Sequence, residues 1–187
     1  MSKAEPGLGG SGIDDTQYTM HSTGDGWLIS IDPQVGKPRI VGPVVDRLAA
    51  GLRRQNRQAD GAGRLRVRLV LHAGDLLLDE RGDLVGDQVN LAFRLLDSPQ
   101  LRVLLKHAAG SLVICVSDAV FRHVVAQRHE GLNPTLFVPV RLGSKRTRGL
   151  GWICAPGEPD LATRAGLLRN HTRGANPDTE PSPSRPG

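Results

Sequence analysis

The sequence predicts an α+β fold with a mostly antiparallel sheet and helices packed on it, and three observations point that way. Strand-like runs follow one another across short Gly-containing turns. Helical runs gather between such pairs instead of alternating strictly with single strands. Residues 65–72 alternate Arg with Leu or Val, which at period two gives a strand with one apolar and one charged face.

The elements follow in order. Residues 16–22 and 27–31 read as two strands around Thr23-Gly24-Asp25-Gly26, a tight-turn signal because Gly takes positive φ freely. From 38 to 58, Val41, Val44, Val45, Leu48 and Leu52 recur at helical spacing, and Pro38 or Pro43 suits a first turn. After the alternating strand, Gly74 punctuates, residues 75–79 continue as a second strand, and 80–86 form a loop. Residues 87–96 are a helix with Val89, Phe93 and Leu96 on one face, and a second short helix starts after Pro99. Residues 112–116 form a buried strand, and Ser117 is placed as the N-cap of a helix over 118–127. Residues 136–142 and 150–155 close the fold as a hairpin around the basic loop 143–149. The expected organisation is a flexible Gly-rich lead at 1–12, one domain at 13–156, and a largely disordered Pro-rich tail at 157–187 with a short helical pattern at 161–168.

Composition narrows the function classes. Apolar residues make up 39% and charged residues 23%, ordinary for a globular protein. The net charge of +5 comes mostly from Arg spread along the chain, with 3% aromatic residues for base stacking, so nucleic acid is not the expected partner. No run reaches the roughly 18 apolar residues of a membrane span, and the start carries no apolar signal segment. The expectation is a cytoplasmic protein with no membrane partner. Cys115 and Cys154 each lie in an apolar strand-like run and read as small buried hydrophobes. Neither has Cys or His at metal-ligand spacing.

Three stretches carry chemistry. Asp25, at the tip of the first hairpin, places a carboxylate where it can reach a metal–phosphate complex, although Asp-Gly is also an ordinary turn. In residues 83–96, Gly86 opens a helix whose Asn90 and Arg94 are four apart and share a face. An amide and a guanidinium so placed suit a ribose and a developing phosphoryl charge, or simply an exposed helix surface. Residues 68–76 hold His72, either a core-edge histidine or part of a site.

Taken together, Gly24-Asp25, residues 68–74, Asp83 to Leu95, and Val116-Ser117-Asp118 resemble the catalytic domain of class III adenylate and guanylate cyclases over about residues 14–156. The family patterns are a Gly-Asp hairpin, an "R-x-G-I-H-x-G" strand and a "D-x-x-G-x-x-V-N-x-A-x-R-L" loop and helix. Residues 89–97 resemble divergent actinobacterial-type members. The resemblance implies a ferredoxin-like fold and active sites at a head-to-tail dimer interface. It makes Asp25 a metal ligand, Asp83 a base-selecting residue, Asn90 a ribose-orienting residue and Arg94 the stabiliser of α-phosphate charge. His21 falls where the family has a base-binding lysine. Lys145 corresponds to a triphosphate-binding lysine, with Arg141 as a competitor. ATP or GTP, Mg²⁺ or Mn²⁺, and a homodimer or partner chain are the implied associates.

The departures also matter. The family's first metal aspartate lies on an opening strand that precedes the hairpin, and Asp14 and Asp15 are too close to the hairpin to replace it. The sequence therefore reads as a truncated ferredoxin-like cyclase domain, weak or inactive alone, retaining nucleotide-binding features in a regulatory role. The alternatives are an active cyclase completed by an upstream segment or partner chain, and an interaction domain with no ligand.

Overall fold

The computed structural model describes residues 12–60, 63–144 and 147–166. The architecture is α+β. Strands β1 (Tyr18–Ser22) and β2 (Trp27–Ile31) form an antiparallel hairpin that pairs with no other described strand. Helix α1 (Lys37–Arg39) runs through a π turn, Ile40–Val44, into α2 (Val45–Arg57). Pro38 lies in the first turn as expected, and Pro43 falls inside the π turn. Proline cannot donate to the carbonyl four residues back, so the helix widens there.

The main sheet has the order β3-β6-β8-β7. Strand β3 (Val67–Leu71) is one of its two edges and runs parallel to β6 (Leu112–Ser117), with Val67 opposite Leu112 and Leu71 opposite Val116. The crossover between them carries α3 (Asp87–Leu96) and α4 (Pro99–His107). Strand β8 (Thr147–Cys154) pairs antiparallel with both β6 and β7 (Val138–Ser144). Between β6 and β7 lie α5 (Asp118–Val120), a second π turn, Phe121–Val125, and two 3₁₀ turns. The last helix is α6 (Leu161–Arg164).

Strand β6 is buried at every position, as a strand covered on both faces must be. Its residues divide by parity. Leu112, Ile114 and Val116 face one core with Val45, Ala49, Leu52, Phe121 and Val125. Val113 and Cys115 face the other with Leu95, Leu101, Leu104 and Leu161. So α2 and the Phe121–Val125 turn cover one face, and α3, α4 and α6 cover the other. A small third cluster of Ile13, Val35 and Val44, with Tyr18 and Ile31, ties the β1–β2 hairpin to the first helical segment. No described helix is long and apolar enough to cross a membrane.

Several expectations change. The strand at 75–79 shortens to β4 (Leu77–Leu78), which pairs only with β5 (Leu84–Val85). On α3 the buried positions are Val89 and Leu95, while Phe93 and Leu96 are half-exposed. Packing extends past residue 156: Leu161 and Ala162 are buried, and the Glu158 carboxylate accepts from the backbone N–H groups of Ala109 and Gly110 at 3.2 and 2.8 Å. The lead before residue 12 and the chain after 166 lie outside the described residues.

The charged face of β3 is also not simply solvated. Arg66 donates to the carbonyls of Leu105 and Ala108, and Arg68 donates to Leu96 O at 2.8 Å. These carbonyls belong to the ends of α4 and α3, where orphan acceptors and the negative end of the helix dipole favour a cation.

Candidate functional site

Helix α3 begins at Gly86, whose φ of 107° and ψ of −178° are closed to residues with a Cβ. That backbone turns the β4–β5 ribbon sharply into the helix. Asn90 donates its backbone N–H to Gly86 O at 3.0 Å, starting the helical ladder. Asn90 and Arg94 then emerge on one exposed face, as their spacing required. Asp83 is exposed at the end of the ribbon's turn, just before β5. The turn is organised by Asp79, whose Oδ1 accepts from the backbone N–H of both Arg81 and Asp83 at 2.9 Å. The structure thus places Asp83, Asn90 and Arg94 on one continuous ribbon–helix unit, with Asp79 as a positioning residue that spacing did not reveal.

Asp25 and His21 belong to another part. Asp25 is exposed at the tip of the β1–β2 turn, where Thr23 N–H donates to Gly26 O at 3.1 Å. His21 is half-buried opposite Leu28. Their hairpin is anchored to the helix on one face of the main sheet, and α3 covers the other face. Lys145 lies outside the described residues, and Arg141 is exposed on β7.

Asp25, the expected metal ligand, is an exposed carboxylate. Asp25 offers a lone carboxylate, and among the described residues no group of three or more His, Cys, Asp or Glu side chains is placed to hold a metal ion. Mg²⁺ draws on carboxylates in combination with substrate phosphates, so one exposed Asp is a poor cage for two ions.

A second constellation lies on the inner side of α3. At the carboxyl ends of the parallel strands β3 and β6 is a half-open cleft of about 400 Å³, lined by His72, Gln88, Leu91, Ser117, Asp118 and Leu150 among others. Crevices at the carboxyl ends of parallel strands are the usual ligand positions of such sheets. His72 Nε2 meets Gln88 Oε1 at 2.8 Å. Gly74 makes that approach feasible, because a Cβ there would fall 2.6 Å from Gln88 Oε1. Asp118 is held on both oxygens: Trp152 Nε1 donates to Oδ1 at 3.1 Å and Arg122 Nε donates to Oδ2 at 2.7 Å. Trp152 in turn stacks on Phe121, with ring centroids 3.5 Å apart and planes 3° apart.

Ser117 departs from its expected role. It occupies the N-cap position of α5, yet its hydroxyl makes no capping bond. It is 3% exposed, and its Oγ has no hydrogen-bond partner. His72 Nδ1 is likewise buried without a partner. Native proteins rarely leave such atoms unpaired, because each costs about 1–3 kcal/mol.

The cysteines serve packing. Cys115 and Cys154 are free and buried, and burial pushes the Cys115 thiol up to about 12 and raises Cys154 further. Thiols so far from ionisation are poor nucleophiles and poor metal ligands.

No protein-family model, no curated protein and no solved structure matches the chain.

Proposed function

We propose that the chain is a class III nucleotide cyclase-like domain that binds a nucleoside triphosphate weakly, has little or no catalytic power alone, and acts as a regulatory module. The observation that carries the reading is the ribbon–helix unit. Asp83, Asn90 and Arg94 are all exposed, and Gly86 turns the chain between the first and the other two. A carboxylate, an amide and a guanidinium in that order can meet a base, a ribose and a phosphate. The ferredoxin-like arrangement belongs to the same proposal. It is supported by the free edge at β3 and by a hairpin, β1–β2, with no partner strand among the described residues.

Cyclisation would need the ribose 3′-hydroxyl to attack the α-phosphorus and expel pyrophosphate, with charge neutralised by metal ions. The lone Asp25 argues against that step in one protomer. A partner chain is part of the reading: Asp25 and the α3 residues attach to opposite faces of the sheet, so a head-to-tail dimer would bring Asp25 of one copy to Arg94 of the other. Leu77 and Leu78, 62% and 66% exposed beside the Asp83 turn, supply apolar surface for such a contact.

The test is calorimetric titration of the purified protein with ATP and GTP in Mn²⁺, alongside mass-spectrometric detection of cyclic product. Arg94→Ala is expected to weaken triphosphate binding at least tenfold, since a guanidinium–phosphate bond is charge-assisted. Arg54→Ala, an exposed change on α2, should leave affinity unaltered. Equal effects of the two would sink the site, and cyclic product lost in Arg94→Ala would replace the regulatory reading with an active enzyme.

A further inference from the structure

Two exposed surfaces on opposite sides of the main sheet carry opposite charge. On α2 the buried positions Val45, Ala49, Leu52 and Asn56 define the inner face. At about 100° per residue, Arg53, Arg57, Arg54 and Arg47 fall in that order around the outer face, within an arc of about 120°. Ala50 lies inside that arc with arginines on either side, and all five residues are exposed. Asp46 is the one carboxylate on the helix. The β4–β5 ribbon is the converse. Residues 75–87 hold Asp75, Asp79, Glu80, Asp83 and Asp87 against Arg81 alone. These carboxylates frame Leu76, Leu77, Leu78 and Val85, which are exposed as well.

Neither surface is neutralised within one chain. No ion pair among the described residues uses these charges. The two surfaces also face apart, because α2 covers one face of the sheet and the ribbon leads into α3, which covers the other. Four large apolar side chains left in water on a two-stranded ribbon mark a contact surface. The outer face of α2 is its complement in shape and charge. Ala50 and the aliphatic stems of the arginines give a low apolar centre for the leucines, while the guanidiniums reach the flanking carboxylates. A phosphate-rich polymer would engage the arginines but leave the leucines in water.

We propose that α2 of one chain docks on the β4–β5 ribbon of a second copy, with Ala50 against the ribbon's leucines and the surrounding arginines against its carboxylates. The contact rests on the partner chain of the reading above and names what holds it. It requires no nucleotide.

Sedimentation velocity of the full chain without nucleotide is the test. The protein should self-associate, and raising salt from about 50 to about 500 mM should weaken association about tenfold through screening of exposed charge. Arg47→Glu with Arg53→Glu reverses charge on both sides of Ala50. Asp75→Lys with Glu80→Lys reverses the ribbon while leaving Asp79 and Asp83 in place. Each variant alone should be monomeric, because like charges then face each other. An equal mixture of the two should associate again, since each reversed surface meets its complement, and that recovery also shows both variants folded. Leu77→Ser with Leu78→Ser should weaken association at least about tenfold at either salt. Three results would each overturn the proposal: a wild-type chain that stays monomeric at low salt, folded charge variants that stay monomeric when mixed, or a monomeric chain whose α2 arginines bind a random-sequence DNA duplex. None of these touches the triphosphate titration of Arg94→Ala, so the two readings are judged apart.

Discussion

The two sides of α3 follow opposite rules. Its outer face carries Asn90 and Arg94, both exposed, at positions set by helical spacing alone. Its inner face carries Gln88, Leu91 and Leu95, whose surroundings come from β3, β6 and β8, far away in sequence. A chemical pattern on the outer face needs nothing but the helix to exist. The inner face acquires its meaning only when the sheet brings His72 and Ser117 beneath it. The same ten residues thus present one surface that spacing specifies and one that topology specifies.

The sharpest way to break this contrast is to truncate one residue on each side. Leu95 is 1% exposed and packs with Val113, Cys115 and Val140. Leu95→Ala should lower unfolding free energy by about 2–5 kcal/mol in urea denaturation, through lost transfer energy and the cavity left behind. Asn90→Ala, on the exposed face, should change it by no more than about 0.5 kcal/mol, as exposed substitutions do. Comparable losses would mean that the outer face is structural after all.

Next in size is an alkaline effect from the layer beneath the helix. The folded Cys115 thiol is raised to about 12 from an ordinary value of 9.0, so the folded state holds its proton more tightly than the unfolded chain. Stability from that preference is complete below about pH 9 and is lost as pH rises toward 12. Thermal unfolding followed from pH 8 to 11 should show the midpoint falling, and the fall should be smaller in Cys115→Ala. A midpoint with the same pH dependence in both proteins would show that Cys115 does not contribute.

A smaller change probes how α4 is held. Arg66→Ala removes the donor to Leu105 and Ala108 and leaves those helix-end carbonyls to water. The expected loss is about 1–2 kcal/mol, against no measurable change for Arg54→Ala. Equal stability of the two variants would restore the simple picture of a solvated strand face.

These cases explain which parts were legible. The bounds of α3 and of β2 follow from local periodicity and turn residues, and the structure repeats them at Asp87–Leu96 and Trp27–Ile31. The Arg alternation on β3 located a strand, yet its charged side lies under helix ends that come 28 to 42 residues later. Ser117 read locally as an N-cap. It lost that role in a setting where its neighbour Asp118 is held by Trp152, 34 residues onward. Partners so distant leave no trace in the spacing of a single sequence. The exposed set of Asp83, Asn90 and Arg94 was legible, whereas the His72–Gln88–Ser117 cleft was not.

The smallest predicted effect asks what a buried, unpaired hydroxyl costs. If Ser117 were a structural hydroxyl, replacing it with Ala would destabilise the fold by breaking a bond. Its Oγ has no partner and is buried, so the hydroxyl is desolvated on folding without a compensating hydrogen bond. Ser117→Ala should therefore be neutral or stabilising by up to about 1 kcal/mol. Urea denaturation curves of the two proteins decide the point. A gain in stability on mutation would show that the hydroxyl is desolvated without return, and a plain loss would mean that it is bonded in the core.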